Sequence, residues 1–190
     1  MEEVVVTGMG CVSALGNTPE ILWENLLAGK SGVTTITHFD TSAYEVHFAA
    51  EVKEFDASPY FNDRDQKRYS RNIQYAVSAA SDAVKNSGLN VDSLDKSRAG
   101  VILASGMGGM DVYYDTSATL SNKGPRRVSP FFIPMAITNM AAGEVSIRFG
   151  FMGPNFTTTS ACASSNHALI AAADQIRLGR ADVMLAGGSE

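Results

Sequence analysis

No run of about 18 uninterrupted apolar residues occurs in this sequence, so nothing in it reads as a membrane-spanning helix. Cysteine is nearly absent. Cys11 and Cys162 stand far apart with no CxxC spacing, which argues against a disulfide framework and against a cysteine zinc site, and fits a reducing compartment. Histidine is as scarce: His38, His47 and His167 have no partner at metal-ligand spacing, so each reads as solvated or packed and no metal is expected. Positive charge is outnumbered, with 15 Lys and Arg against 20 Asp and Glu and a formal net charge of -5, so the chain as a whole is not built to hold nucleic acid. Nor does the first stretch read as a leader. "MEEVVVTGMG" is acidic and runs straight into an apolar segment, unlike a signal peptide or an Arg/Ser-rich transit peptide. A cytoplasmic protein is expected.

What is present is an ordinary globular composition, 45% hydrophobic and 18% charged, over a length that suits one domain or slightly more. Three continuous apolar runs, "EVVVTG" (3–8), "AGVILASG" (99–106) and "DVMLAGG" (182–188), predict buried strands, and "NFTTT" (155–159) predicts a short one. Between them lie helical patterns. Thr18 and Pro19 start a helix with Ile21, Leu22, Leu26 and Leu27 on one face, stopped by Gly29. Ser70 caps a second, in which Ile73, Ala76, Val77, Ala80 and Val84 recur at helical spacing up to Gly88. A third runs through roughly 137–149 to Gly150. A fourth runs from Ala163 to Leu178, with Leu169, Ala172, Ala173 and Ile176 on one face and Gly179 after its end. Residues 33–66 have no clear period. "GPRRVSPFFIP" (124–134), with three prolines, predicts an ordered loop or extended segment. Apolar strands alternating with helices imply an α/β fold, a sheet covered on both faces.

Two glycine clusters invite a nucleotide reading and fail it. "GMGCVS" (8–13) has Ser13, and "GMGGMD" (106–111) has Asp111, where a dinucleotide fingerprint needs its third glycine; both read as tight turns after strands. "GKS" (29–31) suggests a P-loop, but Glu24 stands where its first glycine belongs. No cofactor is therefore expected.

The stretch "TTTSACASSNHA" (157–168) poses the chemical question. Cys162 is either a small buried hydrophobe or a nucleophile. Strand, small-residue turn and helix together place its side chain at a helix N-terminus, where unpaired N–H groups and the positive end of the macrodipole favour a thiolate and can hold an oxyanion. Lowering a thiol from a pKa of ~8.5 to ~7 requires about 2 kcal/mol. A helix terminus typically supplies about 0.3–1 kcal/mol, and about 2 in the best partly buried geometry. A histidine partner is therefore expected. His167 is poorly placed for it, five residues along the same helix and about 140° around the axis at ~100° per residue. A hydrolase-type nucleophile elbow needs glycines around the nucleophile, where this chain has Ser160 and Ser164.

Five segments, "VVVTGMGCVSALG" (4–16), "SGMGGM" (105–110), "SPFFIPMAITNMA" (129–141), "GFMGPNFTTTSACASSNHA" (150–168) and "ADVMLAGGSE" (181–190), are collinear with those of β-ketoacyl-acyl-carrier-protein synthases of the elongating type, which the chain resembles over its whole length. It is similar to the bacterial type II enzymes and, over 129–160, to plastid ones, which adds the plastid stroma as an alternative location. The resemblance implies a thiolase-like layered fold, of which residues 1–190 are the N-terminal half, with a mixed sheet covered by helices. It implies that Cys162 carries the acyl chain as a thioester, that malonyl carrier protein decarboxylates, and that the resulting carbanion attacks the acyl group. It also implies that the Cys162 N–H contributes to the oxyanion hole.

The same resemblance makes Met107, Phe132 and Ala161 acyl-pocket residues, Met107 as the gate. The plain alternative for Met107 and Phe132 is core packing. It assigns Arg64, Lys67, Arg68, Arg126 and Arg127 to docking an acidic acyl carrier protein, the plain alternative being a solvated polar face. Ser70 and Asn72 stand where the family usually shows Asp and an aromatic, which puts local packing or carrier contacts in question, but not the chemistry. The two histidines that assist decarboxylation lie in the family's second half, and His38, His47 and His167 match neither. The chain ends at Glu190, two residues beyond Gly187-Gly188, so a cut inside a larger fold is expected. The missing half or a second chain is then a partner. So is another copy in a homodimer, and these residues alone are expected not to condense. A non-catalytic carrier-binding half-module is the alternative function. Neither nucleic acid nor membrane is an expected partner.

Overall fold

Residues 3–190 are described by a computed structural model. In chain order the elements are α1 (Pro19–Leu27), β1 (Thr34–Thr35), β2 (Phe48–Ala49), α2 (Asp63–Gln66), α3 (Arg71–Ser87), β3 (Ala99–Ala104), α4 (Met110–Lys123), α5 (Phe132–Ala136), α6 (Met140–Phe149), β4 (Asn155–Phe156), α7 (Ser164–Arg177) and β5 (Val183–Gly188). The apolar run at 99–104 becomes β3, and all six of its residues are buried. β4 and β5 flank it, both parallel, in the order β4-β3-β5. Antiparallel pairing occurs outside this sheet, in a separate ribbon, Thr34↔Ala49 and Thr35↔Phe48, and in an isolated bridge between Ser13 and Gly16.

Alternation along β3 separates the two layers. Val101 and Leu103 join a core with Ile73 and Val77 of α3 and Ala142 and Val145 of α6. Ile102 and Ala104 point the other way, onto Ala168 and Ala172 of α7. Ile73, Val77, Val101, Ile102 and Val145 are almost completely buried, each worth about 1.5–3 kcal/mol against exposure. α3 buries Ile73, Ala76, Val77 and Ala80, as its periodicity predicts, and ends at Gly88. Its first turn is also buried on a polar side. Gln74 Nε2 donates to the carbonyls of Gln66 (2.9 Å) and Tyr69 (2.8 Å), which fastens α2 to α3. Ser70 occupies the N-cap position of α3, but its hydroxyl donates to Asn72 Oδ1 (2.5 Å) and caps nothing.

Four expectations change. Residues 3–8 form no strand: Val5 and Val6 are 66% and 81% exposed. No described strand lies alongside to complete a ladder. The segment is anchored on α3 instead, with the Met9 N–H donating to Asn86 Oδ1 (3.2 Å). Gly10 lies so close that a Cβ there would stand 2.0 Å from the Ala79 carbonyl oxygen. The buried line of α7 is Ser164, Ala168 and Ala172, while Leu169 is exposed and Ala173 and Ile176 are only half-buried. Small side chains let this helix lie close against β3 and β5, and the larger ones are turned away. β4 is only two residues long. The proline-rich stretch is ordered but partly helical: Pro125 opens a 3-10 turn through Arg127, and α5 follows at Phe132. Among the described residues no helix is long and apolar enough to cross a membrane.

Candidate active site

In a parallel sheet all strands end on the same side, and the loops that follow them meet there. Here those loops are Ser105–Gly109 after β3, Thr157–Ala163 after β4, and Ser189–Glu190 after β5. They enclose a mainly apolar cavity of about 610 Å³, lined by Met107, Ala161, Cys162, Ser165 and Glu190 among others. Cys162 is exposed, not a core residue. A second cavity, about 470 Å³, lies between α2, α3 and α4; it mixes Asp63, Asp111 and Asp115 with Lys67 and Arg71 and is lined by no cysteine.

The turn carrying Cys162 is held by side chains that sequence spacing did not single out. Ala161 adopts φ 51°, a left-handed conformation that costs a residue with a Cβ about 1–2 kcal/mol. Ser164, buried, staples it: its Oγ accepts from the Ser160 N–H (2.7 Å) and donates to the Ala161 carbonyl (2.6 Å). Thr158 Oγ1 donates to the Ser164 carbonyl (2.9 Å), and Thr159 Oγ1 to the Ser105 carbonyl (3.0 Å), tying this turn to the loop after β3. The serine that breaks the hydrolase-elbow pattern is thus the brace of the turn. The only trace of it in the sequence is the density of hydroxyl residues around the cysteine. Cys162 stands just before Ala163, the N-cap position of α7, so its side chain projects beside that helix N-terminus.

The loop after β3 is equally constrained. Gly108 has φ 74°, and a Cβ there would stand 2.5 Å from the Ala136 carbonyl oxygen, so both conformation and space require glycine. Ser105 Oγ accepts from the Gly108 N–H (2.9 Å). The Glu190 carboxylate accepts from the N–H groups of Gly106 (2.6 Å) and Met107 (3.0 Å) and from Ser105 Oγ (3.2 Å).

Of the residues expected at the site, the structure brings together Cys162, Ala161 and Met107. Phe132 is not at this cavity; it packs edge-on against Tyr113, centroids 5.3 Å apart. Arg64, Lys67, Arg126 and Arg127 are exposed. Arg68 is half-buried with its guanidinium 4.2 Å from the Phe131 ring centroid, which joins α2 to the segment that follows Arg126 and Arg127. Among the described residues, no hydrogen bond joins any of the three histidines to Cys162. His167 Nδ1 lies 2.5 Å from Ser160 Oγ and His47 Nδ1 3.1 Å from Thr41 Oγ1, while at His38 it is the backbone N–H that donates to Glu51. Among the described residues no group of His, Cys, Asp and Glu is arranged to hold a metal.

A family model for the N-terminal domain of beta-ketoacyl synthases matches residues 1–190. The chain is 45% identical over 187 residues to 3-oxoacyl-[acyl-carrier-protein] synthase 2 of Vibrio cholerae, covering 98% of this chain and 45% of that protein. It is 42% identical over 192 residues to the chloroplastic 3-oxoacyl-[acyl-carrier-protein] synthase I of Arabidopsis thaliana, covering 100% of this chain and 41% of that one. Among solved structures it is similar to one chain of a complex described as a type II PKS acyl-carrier protein in complex with its ketosynthase bound to the hexaketide. That match has a TM-score of 0.84 and 25% identity over 100% of this chain and 51% of the other. The chain thus spans about half the length of the curated relatives it matches.

Proposed function

From the premise that this chain belongs to the beta-ketoacyl synthase family, whose N-terminal domain it matches throughout, we propose that Cys162 is the acyl-carrying nucleophile of a decarboxylating condensation. The observation that carries this reading is the placement of one exposed thiol. It lies on a braced turn before a helix, at the carboxyl end of a parallel sheet, in an apolar cavity. The thiolate attacks the thioester of an acyl carrier protein, the carrier thiol leaves, and an acyl-Cys162 thioester remains. Malonyl carrier protein loses carbon dioxide, and the electron pair of the broken bond becomes a carbanion that attacks the acyl carbonyl. The new carbon–carbon bond expels the Cys162 thiolate and yields a 3-oxoacyl chain two carbons longer. The exchange balances without a redox partner or cofactor. Each tetrahedral intermediate bears an oxyanion, for which the reading assigns the Cys162 N–H beside the helix terminus.

Met107 and Ala161, on the same cavity, are the wall the acyl chain meets. Phe132 lines it only if the Tyr113–Phe132 pair rearranges on acylation. Arg64, Lys67, Arg68, Arg126 and Arg127 form the landing for an acidic carrier protein, supported by the Arg68–Phe131 stack that draws α2 toward the Arg126-Arg127 turn. The rings of His47 and His167 sit against Thr41 and Ser160, and no histidine of this chain, His38 included, matches the family's decarboxylation histidines, so the groups assisting decarboxylation come from outside these 190 residues, and the residues alone do not condense. The second half, or another copy of the chain, would also cover the apolar side chains left exposed on α4, among them Tyr114.

The test is single-turnover acylation. Full-length protein is mixed with acyl carrier protein bearing a medium-length chain, without malonyl carrier protein, and its peptides are mapped by mass. The expected result is one acyl group on the Cys162 peptide, discharged as 3-oxoacyl carrier protein when malonyl carrier protein is added. An acyl group on Cys11, or on no residue, rejects the proposal.

A further inference from the structure

Glu190 has an acidic side chain in an apolar cavity, where the mechanism above gives it no work. Its surroundings are specific. Oε2 takes the Gly106 N–H (2.6 Å) and Ser105 Oγ (3.2 Å), and Oε1 takes the Met107 N–H (3.0 Å). Two successive backbone amides aimed at one carboxylate form a small anion-binding nest. Hydrogen bonds to an ionised acceptor are among the strong ones. Ser105 extends the clamp, because its Oγ also accepts from the Gly108 N–H (2.9 Å). At the other end, the neighbouring residue is fixed twice: the Ser189 N–H donates to the Ala104 carbonyl (2.9 Å), and Ser189 Oγ to the Asn72 carbonyl at the start of α3 (2.6 Å). Glu190 therefore reaches from an anchored strand end to the turn that carries Met107. The far side of that turn is held by the Gly108 N–H on Ser105 Oγ and the Gly109 N–H on the Ala136 carbonyl (3.0 Å), whereas the Gly106 and Met107 N–H groups find their acceptor in Glu190. Gly106 and Gly108 flank Met107, and the Met107 side chain is 57% exposed.

We propose that Glu190 is a positioning residue for acyl-chain selection. Its carboxylate clamps the Gly106–Met107 turn and so holds Met107 as a fixed wall of the cavity that contains Cys162. The inference rests on the reading of that cavity as an acyl site. With the clamp made, the turn cannot withdraw and Met107 limits how long a chain enters. With the clamp removed, the glycine-flanked turn relaxes and longer chains are admitted. The clamp leaves the thiol itself untouched, since Glu190 makes no hydrogen bond to the Cys162 turn.

The experiment uses the full-length protein and two small donors, hexanoyl and dodecanoyl N-acetylcysteamine thioesters, with the rate of acylation at Cys162 followed by intact mass. Glu190→Ala is expected to raise the dodecanoyl-to-hexanoyl rate ratio about tenfold, the lower end of the scale of one lost charge-assisted hydrogen bond. Labelling of Cys162 by iodoacetamide should remain within about twofold, as no contact to that turn is removed. Glu190→Gln, which keeps one acceptor but turns an amide donor toward the nest, is expected to fall between. Met107→Ala alone should raise the ratio, and Glu190→Ala should add nothing on that background, because the residue acts through Met107. An unchanged ratio in Glu190→Ala, or an equal further rise in the double variant, overturns the clamp while leaving the acyl-site reading intact. So does a parallel fall of iodoacetamide labelling and of both acylation rates, which would mark Glu190 as merely structural. Failure of the unmodified protein to acylate at Cys162 with either donor overturns the acyl-site reading, and the inference with it.

Discussion

The two cysteines sit in turns of similar composition, "GMGCVS" and "TSACAS", and the fold gives them opposite surroundings. Cys11 is half-buried where the N-terminal segment leans on α3, and burial, followed by the charges of Glu20 and Asp82, pushes its thiol above the ordinary value. Cys162 is exposed in an apolar cavity beside a helix N-terminus, on a turn braced by Ser164. Small residues serve different ends in the two places. Around Cys11 they allow a chain segment to press against a helix backbone; around Cys162 they allow the tight turn that presents a side chain. A glycine- or serine-rich turn after an apolar run therefore says that something comes close, but not whether that something is the protein or a substrate.

The comparison breaks most sharply on activity. Cys162→Ala in the full-length protein should abolish condensation, a loss of at least about 10³-fold as expected for removing a covalent nucleophile. Cys11→Ala should leave the turnover within about twofold, since it lies away from the cavity. Product formation with acyl and malonyl carrier protein measures both, and comparable losses in the two variants would end the distinction.

Alkylation with limiting iodoacetamide near neutral pH should label Cys162 about tenfold or more faster than Cys11, since the thiolate is the reacting form. The sign for Cys11 follows from its raised pKa: its thiolate is scarcer than an ordinary thiol's at neutral pH, and its labelling should climb only as the solution is taken above the ordinary thiol range. Preferential labelling of Cys11 at neutral pH would invert the comparison.

Packing around Cys11 sharpens it further. Gly10→Ala forces a Cβ to within 2.0 Å of the Ala79 carbonyl oxygen in the absence of movement. Overpacking of this kind costs about 1–3 kcal/mol, read as a lower midpoint in denaturant. An unchanged midpoint would mean that the N-terminal segment is free to lift off α3.

Charge effects come next. Arg126→Glu with Arg127→Glu should raise the apparent KM for carrier protein about three- to tenfold at low salt, since exposed pairs contribute only ~0.2–1 kcal/mol each. The difference should shrink at higher ionic strength, and alkylation of Cys162 should not change. An unaltered KM would leave these cations as a solvated face.

The smallest expected effect lies in the ribbon. Hydrogen bonds from the Thr37 N–H first, and then from its hydroxyl and from the His38 N–H, hold the Glu51 carboxyl below its ordinary range. A depressed carboxyl contributes stability above its unfolded pKa and loses it as the pH falls through the folded value. The stability gap between the protein and Glu51→Gln should therefore be present at neutral pH and close below about pH 4. A gap that persists in acid would show that the charge contributes nothing.

Much of the layered α/β core was legible in the sequence, because its signals are local. "AGVILA" is apolar throughout, as a strand covered on both faces must be, and the spacing of Ile73, Ala76, Val77 and Ala80 allows only a helix with one packed side. Cys162 and its helix were legible for the same reason, from a strand, a small-residue turn and a 3.6-residue period. "EVVVTG" shows where local pattern stops. Its three valines read locally as a strand, yet a strand needs a neighbour to complete its ladder, and none of the described residues supplies one. Likewise, the period in α7 marked Leu169 and Ile176 as core. The distance between helix and sheet selected Ser164, Ala168 and Ala172, since only small side chains fit that close approach. Tertiary structure alone brought Met107, Cys162 and Glu190 to one cavity and left Phe132 against Tyr113. Those residues come from loops after different strands, and what joins them is the parallel order β4-β3-β5, which sets every loop on the same edge and which no single stretch of sequence encodes.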